Sequence, residues 1–516
     1  MIPRTINITS YLCLLLLVTV LYLFSEMEFN KSSIGWVLFI AALSYLMFFF
    51  RKESNPYISK QFLVPSKLFI LGYTIVYFQN VLDVFFGYSD PYNELSILYP
   101  SAIIRSSLLS VMGLISFFIG YLLFDRKNSP TKAPQRAIAT AETPAPQRQK
   151  FIPLNLLKIF CFALLALYLV FVNKAYLWGG YGTGVGMGGV ASLVSYFLEG
   201  SIYGVLLLHS LNLKAQRQNI SLSQNTSLRK TPEKTKLTLV RFIGSLGLFN
   251  LVIALYLLTV LLSGDRGAII YITLGYFYCY LYCSSKIFSA LKSLILIAIA
   301  GILISVLGVA RTMRTIESKS EQIALAAEIL SLREATSLSP PTKELANSLR
   351  CLHAVVEERE RLGSEPYYGR FASYQILSSF PFSGTLLSLS GLYGSEHTSS
   401  AEYITELIQG RNPSYGDGTA CIAELYLDFG PLGVIFAMVL FGLFMRKSDE
   451  LSSGEREVSI FLFALVLLYF AHSIFIARST LLFPLKKAIA TFTICYLYIY
   501  FYKHFFSSKT DDKTRQ

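Results

Sequence analysis

Leu261-Leu-Ser-Gly-Asp-Arg-Gly-Ala268, LLSGDRGA, separates two apolar runs, 241–262 and 268–283, each long enough to cross a bilayer. An aspartate, an arginine and two glycines between such runs read as the place where the chain reverses at a membrane surface. The pattern repeats along the sequence. Apolar runs occur at 8–25, 34–50, 68–86, 102–124, 154–172, 191–213, 241–262, 268–283, 291–310, 420–445, 458–476 and 485–502. The expectation is an all-α polytopic membrane protein with about 12 transmembrane helices.

Composition agrees. Of the 516 residues, 53% are hydrophobic, 14% aromatic and only 15% charged, with a mean hydropathy of +0.51, which excludes an ordinary soluble domain. The first run, Ser10 to Phe24, has no small-residue cleavage site and is followed at once by another span, so it reads as a retained helix. Five of the seven cysteines, Cys13, Cys161, Cys279, Cys283 and Cys495, lie within apolar runs and behave as small hydrophobes; only Cys351 and Cys421 are placed to meet outside.

The net charge of +13 does not point to nucleic acid, because the basic residues gather in the short links between spans. With the amino terminus inside, 27 lysines and arginines fall on the cytoplasmic side and six in the short links opposite. Both termini then face the cytoplasm and LLSGDRGA faces out. Two inner stretches, 125–150 and 214–240, are rich in Pro, Ser, Thr, Gln and Lys and read as flexible tethers. The chain divides into 1–310 (spans one to nine), a large external loop at 311–419, and 420–516 (spans ten to twelve and a cytoplasmic tail). In the loop, 321–335 and 343–362 are helical in composition. The aromatic, small-residue stretch 367–392 reads either as a segment on the outer leaflet or as a buried loop helix.

Several charges lie at the outer edge against the usual bias. Arg266 stands in the opening turn, Arg311 and Arg314 in GVARTMRT after span nine, and Arg478 in FIARSTLLFP after span eleven; Arg411 precedes span ten. Guanidinium groups grip phosphate oxygens in a bidentate fork and stay charged when partly desolvated, so a lipid diphosphate at the membrane surface suits this set. The alternative for Arg266 is snorkelling to headgroups beside Asp265. Gly264 and Gly267 allow the tight turn and close backbone approach.

Glu424 and Asp428, four residues apart, share one face of the helix that begins span ten. Carboxylates there must face a cavity, a cation or each other, and partial desolvation makes them better proton acceptors; a structural ion pair with an arginine is the alternative. His397 and His472 are further proton acceptors or simply packed residues. Asp83, with Gln79 and Asn80, is an embedded polar cluster that lines the same cavity or bonds another helix. No GxxxxGK[ST], GxSxG or HExxH motif and no clustered His/Cys set occurs.

The order of these features, ending in GDGTACIAELYLDFGPLGVIFAMVLFG (416–442) and a late arginine, resembles the O-antigen polymerase (Wzy-type) family of oligosaccharide repeat unit polymerases. The resemblance implies a C-type glycosyltransferase at the periplasmic face of the bacterial inner membrane, acting on undecaprenyl-diphosphate-linked oligosaccharides. It would move the growing glycan from its carrier onto a fresh lipid-linked unit, with a chain-length regulator and a flippase as candidate partners. Arg266, Arg311, Arg314, Arg478 and Arg411 would then bind the diphosphate, and Glu424, with Asp428, His397 and His472 in reserve, would take the acceptor proton. No metal or other cofactor is required, since guanidinium groups can neutralise the charge. The rivals are an O-antigen ligase, for which His353 and His397 are the only loop histidines, and a flippase, which predicts charge spread through the membrane depth and an internal repeat.

Overall fold

The computed structural model describes residues 4–24, 29–88, 100–124, 152–177, 186–225, 237–265, 267–284, 286–299, 301, 337–380, 383, 399–413, 416–454 and 458–507. Among these residues every regular element is helical. In chain order they are α1 (Arg4–Phe24), α2 (Lys31–Phe49), α3 (Pro56–Lys60), α4 (Pro65–Phe86), α5 (Pro100–Leu123), α6 (Asn155–Phe171), α7 (Gly189–Asn225), α8 (Leu239–Leu246), α9 (Phe249–Ser263) and α10 (Gly267–Ser284). There follow α11 (Ala290–Ile299), α12 (Lys343–Ala346), α13 (Leu349–Leu362), α14 (Arg370–Ser378), α15 (Ser400–Gln409), α16 (Cys421–Ser452), α17 (Ile460–Ile476) and α18 (Phe483–Tyr502).

Seven helical stretches among the described residues are long and apolar enough to cross a membrane; α8 and α9, turned by 96°, bring these to eight if the pair is one span. The apolar helices α6, α11 and α17 are shorter. On α16, Leu432, Phe436 and Leu440 form an exposed apolar stripe at i, i+4 and i+8, while Val434, Met438, Phe441 and Met445 are buried. Large exposed side chains of this kind would be a liability in water and are at home in hydrocarbon. The chain is an all-helical, multi-pass membrane protein.

Two compact units are present. The first comprises residues 1–125, 288–450 and 472–486. Its core centres on α5, against which α1 and α2 pack, with Phe48 stacked on Phe118 at 4.3 Å. Gly120 and Gly442 bring α5 and α16 backbone to backbone: a Cβ on Gly120 would lie 1.9 Å from the Val439 carbonyl oxygen, and one on Gly442 2.2 Å from that of Phe117. Small residues at a helix crossing allow such contact in a membrane. At the far end of α16, Arg446 is buried; it donates to Glu53 at 2.7 Å and pairs with Glu450 at 3.3 Å. Nearby, Asp449 accepts from Ser66 and Tyr121. A guanidinium cannot remain buried without such partners, and none of them is near in sequence except Glu450.

The described part of the 311–419 segment belongs to this unit. The stretch 343–362, read as helical, forms α12 and α13. Leu349, Leu352, His353 and Val356 give α13 one buried face, while Glu358, Arg359, Glu360 and Arg361 lie on its other sides. Each buried Leu or Val contributes roughly 1.5–3 kcal/mol. The polar cluster on α4 bonds this segment: Asp83 accepts from Ser337 (2.7 Å) and the Leu338 N–H (2.8 Å), Gln79 from Thr342 (2.6 Å), and Asn80 reaches Asn347 at 3.4 Å.

The second unit comprises residues 126–287, 451–471 and 487–516. Its helix α7 continues to Asn225, into the stretch read from composition as a tether. Lys214 and Arg217 hold this extension by bonding the Tyr282 hydroxyl (3.1 Å) and the Cys283 carbonyl (2.8 Å). The other tether, 125–150, lies outside the described residues. All seven cysteines are free, and both Cys351 and Cys421 are buried.

Candidate functional site

The segment GDGTACIAELYLDFGPLG folds as a short helix, a break and a long helix. Gly418 enters with φ +79°, and helix begins at Cys421. Tyr77 of α4 fixes this start: its hydroxyl accepts the Ile422 N–H (3.0 Å) and donates to the Ala477 carbonyl (3.2 Å), to which Cys421 also donates through its N–H (3.2 Å). The beginning of α16 is thereby tied to the residue preceding Arg478.

The break falls at Gly430, whose φ of +68° and ψ of −164° are non-helical, followed by Pro431 inside the helix. Only glycine takes this φ without strain, and proline supplies no N–H. Pro431 thus frees the Leu427 carbonyl from the helical ladder, and the Tyr367 N–H bonds it at 2.9 Å; the Arg359 guanidinium bonds the neighbouring Tyr426 carbonyl at 3.1 Å. Pro431–Ser452 by itself has the ~20 residues needed to cross a bilayer. Glu424 and Asp428 lie on the short helix ahead of it.

The two carboxylates have different surroundings. Asp428 accepts the N–H groups of Phe371 (3.1 Å) and Ala372 (2.8 Å), so it caps the N-terminus of α14 from outside that helix. Both oxygens are engaged with backbone, a structural arrangement. Glu424 is almost wholly buried at 4% exposure and is held by neutral donors alone: Gln375 Nε2 and Ser400 Oγ, each 2.5 Å from Oε2. Its Oε1 has no partner among the described residues. No arginine pairs with Glu424 among the described residues. Gln375 in turn accepts from Thr480 at 2.6 Å, so Glu424 is linked through two side chains to the turn that carries Arg478.

Arg478 has its side chain 35% exposed and pairs only loosely with Glu344 at 3.8 Å. Arg411 is exposed in the turn after α15. His472 is fully buried with its ring against Phe483, centroids 5.4 Å apart, a packed residue in this structure. His353 is also fully buried, and desolvation pushes it down to about 3, which keeps it neutral and a poor proton acceptor. Arg266, Arg311, Arg314 and His397 lie outside the described residues.

Around the opening stretch, Gly264 ends α9 in the left-handed conformation (φ +89°). Asp265 accepts the Gly267 N–H at 2.9 Å, capping the start of α10. Burial raises the Asp265 carboxyl above its ordinary range, with the Gly267 N–H opposing this. The same unit holds an ion pair that the sequence did not reveal: Lys487 is 2.6 Å from Glu199, whose other oxygen accepts from Tyr256 at 2.8 Å. Gln375, Ser400, Thr480 and Arg359 were missed as well. They are common polar residues scattered over more than 100 positions, with no spacing that marks them.

No curated protein and no solved structure matches the chain. Residues 227–510 match the family model for O-antigen polysaccharide polymerase Wzy. The match covers more than half of the chain and includes Glu424, Asp428, Arg478, Lys487 and the helix break between Gly430 and Pro431. The chain therefore belongs to the O-antigen polysaccharide polymerase Wzy family.

Proposed function

We propose that this protein polymerises undecaprenyl-diphosphate-linked repeat units as a C-type glycosyltransferase, at the periplasmic face of the bacterial inner membrane. In this reading the chain has about twelve spans, both termini in the cytoplasm, and the 311–419 segment outside, as the lysine and arginine bias favours. A sugar hydroxyl of the new lipid-linked unit attacks the anomeric carbon of the growing glycan. The new glycosidic bond forms as the bond to the carrier's diphosphate breaks, releasing undecaprenyl diphosphate. Glu424 takes the proton of the attacking hydroxyl on Oε1.

The observation that carries this assignment is the environment of Glu424. A buried carboxylate paired to an arginine would be a weak base; one held at Oε2 by an amide and a hydroxyl keeps its basicity and its orientation. Arg478, on the turn linked to Glu424 through Thr480 and Gln375, stabilises charge on the departing diphosphate. Arg411 is a further candidate for that role. Arg266, Arg311 and Arg314 keep it on the strength of the sequence alone. Asp428 is assigned to structure, and His472 to packing.

Deletion of the gene followed by electrophoresis of the lipopolysaccharide tests this reading. Loss of a polymerase leaves lipid A core capped by a single repeat unit. Uncapped core would instead indicate a ligase or a flippase, and a surviving ladder would exclude polymerisation.

A further inference from the structure

The amide of Gln375 is fixed at both ends. Its Nε2 donates to Glu424 Oε2 at 2.5 Å, and its Oε1 accepts the Thr480 hydroxyl at 2.6 Å. An ionised carboxylate can only accept, so the NH2 group must face Glu424 and the amide oxygen must face Thr480. Turned over, the amide would set oxygen against oxygen. Thr480, which donates to the amide oxygen, holds Gln375 the right way round.

A second donor reaches the same carboxylate oxygen. Ser399 caps α15 by accepting the Glu402 N–H at 3.2 Å, which leaves the Ser400 hydroxyl for Glu424 Oε2 at 2.5 Å. Gln375 of α14, Ser400 of α15 and, behind Gln375, Thr480 of the turn before α18 are all neutral. The titratable groups that bear on Glu424 are Asp428, one turn further along its own helix, and the Cys421 thiol. A buried carboxylate that serves only the fold has both oxygens engaged, as Asp428 does. Glu424 has two donors on Oε2 and none on Oε1 among the described residues.

We infer that Gln375 is a positioning residue for the transfer reaction: set by Thr480, it holds Glu424 through Oε2 and so turns Oε1 toward the acceptor hydroxyl. This inference rests on the reading above that Glu424 is the base. A carboxylate gripped by one oxygen keeps a single orientation, which a proton transfer over hydrogen-bond distance requires. The grip has a second effect. A hydrogen bond donated to an ionised group favours the ionised form, so a buried carboxylate that loses such a donor keeps its proton to higher pH. Glu424 lies ahead of the span that begins at Pro431, and the two effects together make Gln375 visible in the pH dependence of the rate.

The test uses the full-length protein in proteoliposomes, supplied with lipid-linked repeat units extracted from a strain that lacks this gene, with the initial rate of polymerisation measured from pH 5.5 to 9. Asp428 stays in place in every variant, so its field is common to all. Gln375→Met keeps the length of the side chain and removes the donor. Its plateau rate should fall about tenfold, and the acidic limb of its profile should move up by about one pH unit. Thr480→Val, which keeps the shape, lets the amide turn and should move the limb the same way by less; it also carries the test if Gln375→Met folds poorly. A purely structural role would scale the whole profile down with the amount of folded protein and leave the limb where it is. An unmoved limb in both variants, with Glu424→Gln inactive, overturns the inference and leaves Glu424 as the base. A full rate from Glu424→Gln overturns the base assignment itself, and this inference with it.

Discussion

The carbonyl of Leu427 accepts the N–H of Tyr367 at 2.9 Å, in the place where a straight helix would have used residue 431, a proline. One residue earlier the Tyr426 carbonyl accepts from Arg359. The break in α16 is thus stabilised by the segment that folds against it, and the position of Glu424 depends on both. Arg359→Ala should remove the bond to Tyr426 and uncover its ring, at a cost of about 1–3 kcal/mol. Gly430→Ala should cost about 1–2 kcal/mol through its left-handed φ. Thermal unfolding of the purified protein in detergent measures both, and wild-type midpoints would show that the break is set by Pro431 alone.

Glu424 and Asp428 look equivalent in the sequence, yet their partners predict different defects. Glu424→Gln keeps the shape and the bond to Ser400 while removing the base, so polymerisation should fall about 10²–10⁴-fold with protein level and melting temperature unchanged. Asp428→Ala strips the cap from α14 and should lower stability by roughly 1–2 kcal/mol, with activity reduced in step with folded protein. If the two variants instead behaved alike in both assays, the separation of roles would fail.

The contrast between these carboxylates marks how far the sequence could be read. Helices α1, α2, α4 and α5 follow from apolar runs whose length matches a bilayer, and that signal is local. So are the i, i+4 spacing of Glu424 and Asp428 and the turn at Gly264. What a carboxylate bonds is not local: Asp428 meets Phe371 and Ala372 more than 50 positions away, and Glu424 meets Gln375 and Ser400. The extension of α7 past residue 213 escaped a reading by composition, because Lys, Gln and Arg are as compatible with an exposed helix as with a tether.

His353 should make the fold sensitive to acid. Its folded value of about 3 lies below the ordinary 6.5 because desolvation disfavours the charged ring. The unfolded chain therefore binds the proton more readily. The contribution is fully present above pH about 6.5 and is lost as pH falls from there toward 3, by at most about 1.4 kcal/mol per pH unit. Comparison of unfolding at pH 7.5 and 5.5 should show His353→Leu losing less stability than the wild type. An equal loss would place the acid sensitivity elsewhere.

Lys487 and Glu199 offer a test of the second unit that does not depend on activity. Their atoms are 2.6 Å apart, the side chains are 23% and 12% exposed, and Glu199 is further held by Tyr256. Removing one member leaves the other charged in largely apolar surroundings, which costs more than the pair contributes as a whole. Glu199→Gln alone and Lys487→Met alone should each destabilise the protein by about 2–3 kcal/mol, less than for a fully buried pair because Lys487 keeps some access to solvent. The double variant should recover much of this loss, since neither charge is then left without its counterion. A double-variant cycle on melting temperatures measures the coupling. Strict additivity of the two single effects would mean that the pair does not act as a unit, and that Tyr256 alone satisfies Glu199.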